Sequence, residues 1–312
     1  MIGRRGSRLV LAAALAGTVA GLPTPRSAAA APTAAFERPG GGPRAAAIGG
    51  HSIVLPDDDY ALGANPARLA FAGRSASAQY DRIDPAVDLW RGRVGLSLPI
   101  GGEITEPLQT SRSHRAALGA ALDVLNLTLI EGSGYRESAA TLGFAAAPSA
   151  ILAFGVAGHY ERATSDADLI AAHAWGVDVG MTIDLADHWS AALAVRDALG
   201  RVTFDGGDDE DRAAEMTIGL AARAHRFWQA EADYVFQRNT TSALAGGVEI
   251  HVLPGVLDLR GGVSREMLGP ARIIPSAGAG FTVDHLRLDY AYRSDPDGGM
   301  NSQHQVALGV RF

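Results

Sequence analysis

From about Arg74 to the carboxyl end, apolar residues recur at every second position. In "HLRLDYAYR" (285–293), Leu286, Leu288, Tyr290 and Tyr292 share one face, and Arg287, Asp289 and Arg293 share the other. "LDLRGGVS" sets Leu257, Leu259 and Val263 against Asp258, Arg260 and Ser264. "ALAGGVEIHV" sets Leu244, Val248, Ile250 and Val252 against Glu249 and His251, and "WQAEADYVF" sets Trp228, Tyr234 and Phe236 against Gln229, Glu231 and Asp233. In "WGVDVGMTI", Asp178 stands alone among Trp175, Val177, Val179, Met181 and Ile183. A helix would need a period of 3.6; a period of two builds strands with one apolar and one polar face.

The connections alternate too. Short turns are expected at 283–285, 253–255, 225–227 and 146–150, and longer polar loops separate the other strand pairs, among them "SDPDGGMNS" and "QRNTTS". Short turns on one rim and long loops on the other describe an up-and-down membrane barrel. Counting back from Phe312 gives about 14 strands, and an even number is what bacterial barrels use. The fold class expected is therefore all-β, a transmembrane antiparallel barrel over 74–312. Residues 115–130 are the least regular stretch: the alternation slips between Asp123 and Leu125, which reads as a bulge or kink, or the segment as a short helix.

The rival fold is a soluble β-sandwich, whose strands also alternate. Two features favour the barrel. The apolar faces read as rich in Gly and Ala and poor in Phe and Ile, a weak filling for a dry core. Aromatic residues gather near strand ends: Trp189 and Trp228 after short turns, and Trp175, Tyr234, Phe236, Tyr290 and Tyr292 toward long loops. Such placement suits interfacial girdles.

The first residues have the layout of an export signal. Arg4, Arg5 and Arg8 precede the apolar Leu9–Leu22, and "SAAAAP" offers a cleavage site, giving a signal peptide over 1–31. Residues 32–43 are Pro- and Gly-rich and read as a flexible lead-in. No cysteine is present among 312 residues, which excludes disulfides and thiolate metal sites, and a net charge of −7 gives no footprint for nucleic acid.

A barrel would turn its polar faces inward. The lumen-facing set expected is Asp178, Glu231, Asp233, Glu249, Asp258, Arg260, Arg287 and Asp289, with both signs present, so that neighbours such as Glu249 and Arg260 can pair across strands. Such ladders stiffen a narrow barrel; a charge-selective pore would favour one sign. An enzyme is not expected: the histidines are scattered singly, and no nucleophile, base and orienting group fall together in the sequence. No cofactor and no metal are expected either. The acidic run "DGGDDEDR" (205–212) lacks the ordered spacing of a calcium loop and reads as solvated charge.

The most specific stretch precedes the first strand: "PRAAAIGGHSIVLPDDDYALGANPARLAF" (43–71). Gly49 and Gly50 allow a tight turn. Asp57 and Asp58 begin an aspartate run suited to capping a short helix. Asn65 reads as the cap of a second, with Pro66 at its first position and Ala67 following. Two short helices carrying Leu62, Leu69 and Phe71 make a plug for a barrel's periplasmic end or mouth.

This arrangement resembles the PorV/PorQ family, relatives of the long-chain fatty acid transporter barrels. The matching elements are Arg44-Ala45 with Gly49-Gly50, the acidic Asp57-Asp58-Asp59, and Asn65-Pro66-Ala67-Arg68-Leu69-Ala70. Ala64 and Arg68 depart from the pattern, which often has Gly at the latter position. The resemblance implies an outer-membrane barrel of 14 strands with an N-terminal hatch over 44–73. It implies a non-enzymatic role in export or uptake, as a channel for a hydrophobic small molecule. The alternative it implies is an accessory subunit of a type IX-like secretion system, with secretion-system components as partners. The lipid bilayer and the barrel-assembly machinery are partners in either case. The slip at 123–125 would then be either a bulge alone or the kink of a lateral opening. The terminal Phe312 resembles the carboxyl-end signal by which such barrels are recognised for assembly.

Overall fold

The computed structural model describes residues 41–312 apart from 85–87, 106–111, 129–133, 166–170, 187, 206, 208, 225–226, 238–240, 268–271 and 295–301. The expected signal peptide, most of the lead-in, the turn at 225–226 and the centres of the long loops lie outside these residues. The described chain begins with helix α1 (Gly42–Ala47), helix α2 (Ala61–Ala64) and a 3-10 helix over Pro66–Phe71. Strands follow: β1 (Ser75–Asp84), β2 (Leu89–Thr105), β3 (Arg112–Thr128), β4 (Gly134–Ser149), β5 (Leu152–Ser165), β6 (Ala171–Ala186) and β7 (Trp189–Phe204). After the short β8 (Asp209–Asp211) come β9 (Glu215–Ala224), β10 (Trp228–Gln237), β11 (Thr241–Leu253), β12 (Leu257–Glu266), β13 (Arg272–Val283), β14 (Leu286–Arg293) and β15 (Gln303–Arg311).

Each strand pairs antiparallel with its sequence neighbour, except that β8 pairs only with the far end of β7, whose near half pairs with β9. The first strand pairs with the last, from Ser75 opposite Arg311 to Arg82 opposite His304. The result is a closed barrel of 14 staves. Closure gives each of the 14 staves a neighbour on both sides, the short β8 alone lying at an edge, and the Phe312 N–H donates to Arg74 O at 3.1 Å.

The alternation read from the sequence is the in–out pattern of the wall. Leu244, Val248, Ile250 and Val252 of β11 face outward and are exposed, whereas Glu249 between them is buried. Trp175, Trp189, Trp228, Tyr234, Phe236 and Tyr290 are exposed on the outer surface near strand ends. A continuous outward band of Leu, Val, Ile and Phe would aggregate in water and is stable only against lipid.

Three local readings are corrected. Only some of the small residues belong to the outer apolar face, among them the exposed Ala78, Ala140 and Ala232; Ala117, Ala121, Ala145, Ala153, Ala157, Ala192 and Ala221 are buried on the inner face. The sequence pattern misleads here because Ala counts as apolar on either side of the wall. Asp123–Leu125 pair without any shift on both sides, as continuous strand rather than helix; the irregularity of the β2–β3 pair sits toward its other end, between Ile100 and Glu103 opposite 114–116, where Gly101 has φ +91°. The turn expected at 146–150 is tighter, because β4 runs to Ser149 and leaves only Ala150 and Ile151 between strands.

Candidate functional site

The small inner residues make room for the N-terminal segment, which runs inside the barrel rather than across its mouth. Leu62 and Leu69 pack on the alanines of β3, β4 and β5, and Ile48, Ile53, Val54 and Leu55 pack on Ala192, Ala194 and Ala221. The large side chains come from the segment and the small ones from the wall. A Cβ at Gly155 would fall within contact distance of Pro66 and Ala67 backbone atoms, and one at Gly262 would meet the backbone of Ile48 and Gly49. Backbone therefore lies directly on wall at opposite sides of the barrel.

The segment's turns follow its sequence. Gly49 and Gly50 have φ +111° and +88°, which glycine tolerates and other residues rarely do. Gly50 N–H donates to Ala45 O at 2.8 Å, closing helix α1. Asn65 caps the 3-10 helix by accepting from Ala67 N–H at 3.1 Å, with Pro66 at the first position. The aspartates cap differently from the expectation. Tyr60, not an aspartate, precedes helix α2, and Asp58 accepts from Tyr60 N–H at 3.1 Å one turn earlier. A four-residue helix is too short to set its own start, so the preceding turn takes the cap.

Polar wall residues hold this backbone. Glu231 accepts from Ser52 Oγ at 2.7 Å and from the N–H groups of Ile53, Val54 and Leu55 at 2.7, 2.7 and 3.1 Å. Those donors belong to an irregular loop without secondary-structure partners, and one carboxylate satisfies all of them. Asp233 lies beside it, over Gly219 and next to Ile53 and Val54. Asn65 Nδ2 donates to Ile53 O at 3.0 Å and to Thr182 Oγ1 at 3.1 Å, tying the cap to both the loop and β6. Asp59 accepts from Ser77 Oγ at 2.7 Å, and the Arg93 guanidinium sits 4.6 Å from the Tyr60 ring centre.

A charge network fixes the segment's first helix. Arg44 donates twice to Glu249, at 2.9 Å each, and to Asp57 Oδ1 at 3.0 Å. Glu249 also accepts from Arg260 Nε at 2.6 Å, the cross-strand pair read from the sequence. Arg260 continues to Asp289 at 2.7 Å; Asp289 accepts from Arg287 Nε at 2.7 Å; Arg287 reaches Asp258 at 3.4 Å. Arg311 of the last strand reaches Asp57 at 3.2 Å. Asp178 lies elsewhere, on β6, and accepts from Asp197 N–H at 2.8 Å. The eight wall residues named from the sequence fall into separate clusters.

Enclosure shifts the segment's own charges. Burial works against the charge of Arg44, but Glu249 and Asp57 outweigh it and hold the guanidinium protonated. Burial likewise opposes ionised Asp57, and Arg44 and Arg311 still keep its carboxyl below the usual range. At Asp58 burial, with Asp59 and Asp57 beside it, outweighs Arg287 and Arg44 and pushes the carboxyl up to about 7. Burial and nearby Arg196 lower His51 to about 4.

Sequence reasoning quoted Arg44, Asp59 and Arg68 as motif positions without giving them a role, and passed over Arg93 of β2. The signal available was charge inside an otherwise apolar segment, since Arg68 is buried, donates to Pro56 O at 3.0 Å and lies 4.3 Å from the Phe71 ring centre.

The fold has counterparts of known structure. The Ralstonia pickettii toluene transporter TbuX aligns with a TM-score of 0.64 over 88% of this chain and 99% of its own, at 14% identity. The two chains share a fold. The P. putida toluene transporter TodX aligns with a TM-score of 0.63 over 88% of this chain and 99% of its own, at 16% identity. A Pseudomonas aeruginosa FadL homologue gives 0.62 over 87% and 98%, at 14% identity. At these identities the likeness is one of fold. No protein-family model matches the sequence, and no curated protein matches it.

Proposed function

We propose that this chain is a non-enzymatic bacterial outer-membrane channel for a hydrophobic small molecule, exported by a signal peptide over 1–31 and gated by a hatch over 44–73. One observation carries the reading: the segment is bonded to the wall through a few polar anchors and otherwise rests on small apolar residues. Such a seat holds a plug in place and still allows it to shift. The fold shared with toluene transporters supports a hydrophobic solute, and the outward apolar band supports a bilayer. The barrel-assembly machinery would place it there, with Phe312 as the terminal signal.

The segment's motif also supports a PorV/PorQ-type assignment, and with it the second reading as an accessory subunit of a type IX-like secretion system. Solute uptake separates the two. Proteoliposomes holding the full chain should take up a hydrophobic aromatic solute faster than empty vesicles, and a disulfide clamping the segment to the wall should abolish the difference. Equal uptake with and without protein would reject the channel. Native-membrane crosslinking to a large translocon protein would then favour the secretion role.

A further inference from the structure

The sequence scatters its histidines singly, but the fold places His159 and His251 among carboxylates. His159 of β5 is fully enclosed on the inner wall. Its Nε2 lies 3.6 Å from Asp178 Oδ1 of β6 and 3.1 Å from Asp197 Oδ1 of β7. Its Nδ1 lies 3.1 Å from Glu161 Oε1. Arg212, beyond β8, braces the group from behind, at 2.7 Å from Glu161 and 3.0 Å from Asp197.

We propose that His159, Asp178 and Asp197 form a binding site for a divalent transition-metal ion of the zinc type on the inner wall of the barrel. The spacing fits. Donors held about 2.0–2.2 Å from one tetrahedral zinc stand about 3.4 Å from each other. The separations around Nε2 bracket that value, and one of them is longer than a normal hydrogen bond. The roles of the imidazole nitrogens fit as well. Glu161 Oε1 stands 3.1 Å from Nδ1, and a neutral imidazole that keeps its proton on that side turns the Nε2 lone pair toward Asp178 and Asp197. This carboxylate–imidazole relay orients many metal-binding histidines. Asp178 is itself oriented, accepting from Asp197 N–H at 2.8 Å.

The local backbone is shaped around the group. The β6–β7 register shifts between Val177 and Val179, so that Asp178 faces a bulge of β7 in which Asp197 has φ 49°. Gly176 lies beneath: a Cβ there would collide with Asp197 Oδ1 and His159 Nε2. A regular strand pair with an ordinary residue at 176 could not bring the ligand atoms together.

Charge favours a cation. Among the described residues, the four carboxylates Glu161, Asp178, Asp197 and Glu215 face two guanidiniums, Arg212 and Arg196, an excess of two negative charges (four less two). A divalent ion on neutral imidazole cancels them, whereas a protonated imidazole cancels only one. The second histidine–carboxylate group on the wall, Glu249, His251 and Asp258, differs in this respect. Arg44 and Arg260 already sit on Glu249, and Arg287 on Asp258.

The test uses the purified full chain in detergent, stripped with chelator and titrated with Zn2+. One equivalent should bind and resist gel filtration. His159→Ala should lower affinity at least tenfold, and Glu161→Gln should lower it by about 10–100-fold as an orienting residue. Asp209→Asn with Asp211→Asn, in the exposed acidic run, should leave it unchanged. Zinc-edge absorption on the wild-type protein should show an imidazole nitrogen in the first shell, a readout that needs no variant to fold. No stoichiometric zinc, an all-oxygen shell, or affinity unchanged in His159→Ala would overturn the proposal.

Discussion

Arg44 of the first helix and Glu249 of β11, 205 positions apart, meet through two parallel hydrogen bonds of 2.9 Å inside the barrel. Glu249 is almost completely enclosed and is shared with Arg260. Removing one partner of such a pair leaves charge stranded, at about 3–5 kcal/mol. Arg44→Ala should therefore unseat the start of the segment while the barrel persists. Hydrogen exchange should rise over 42–50 but not in the strands. Arg44→Lys should restore little, because an ammonium cannot make the paired contact and reach Asp57 together.

Glu231 makes a second, independent anchor. A hydrogen bond to a charged acceptor contributes about 1.5–3 kcal/mol. Glu231→Gln keeps one carbonyl oxygen and so should lose at least one bond of that kind. Exchange protection at Ile53, Val54 and Leu55 should fall by about tenfold or more, with protection near Arg44 unchanged. Coupled loss at both places would show that the two anchors act as one.

These anchors separate what the sequence shows from what it hides. A barrel wall repeats one simple demand, apolar out and polar in, so period two exposes the strands, and closure follows from their number. The 3-10 cap at Asn65-Pro66 was legible for the same reason: its causes lie within three residues. The seat was not. Glu231 looks like any other inward charge until the loop at 52–55 is placed against it, and that contact spans about 180 positions. Ala157 and Gly155 read as a weak apolar face because the pattern cannot tell a residue facing lipid from one facing a segment 90 positions earlier. His159 likewise gains its neighbours only through the bulge at Asp197.

Wall glycines give a prediction with an internal control. Gly155 and Gly158 lie on the same strand. A Cβ at 155 would strike the backbone of Pro66 and Ala67, whereas nothing lies within 4 Å of one at 158. Gly155→Ala should expose the segment to limited proteolysis near 66–71 and raise solute leakage through the barrel. Gly158→Ala should do neither. Equal behaviour of the two variants would mean that the segment does not rest on β5.

Seating should also depend on pH through Asp58. Its carboxyl holds a proton to about pH 7 in the folded chain, against about 4 for a free aspartate. Between those values the seated state binds more protons than the released one, so seating weakens as pH rises through that window. His51 acts in the opposite sense: it ionises near 4 when seated and near 6.5 when free, so its contribution grows as pH rises from about 4 to 6.5. In a His51→Gln background, exchange over 52–62 should increase between pH 5 and 8. Adding Asp58→Asn should flatten that change. A slope that survives Asp58→Asn would place its origin in another group.

The carboxyl end closes the barrel by pairing Ser75 with Arg311, and Phe312 extends beyond that pair with its ring exposed and its N–H on Arg74 O. Its ring adds little packing to the folded wall, so Phe312→Ala should leave the melting temperature of assembled protein within a few degrees. Assembly is a different matter if the terminal aromatic is read before the barrel closes. The same variant should then reduce the amount of folded barrel reaching the outer membrane several-fold, measured by heat-modifiable mobility of membrane fractions. Deleting Phe312 should do at least as much, since it also removes the last hydrogen bond to Arg74. Normal yield with a lowered melting temperature would make the residue a structural end-piece and reject the assembly role.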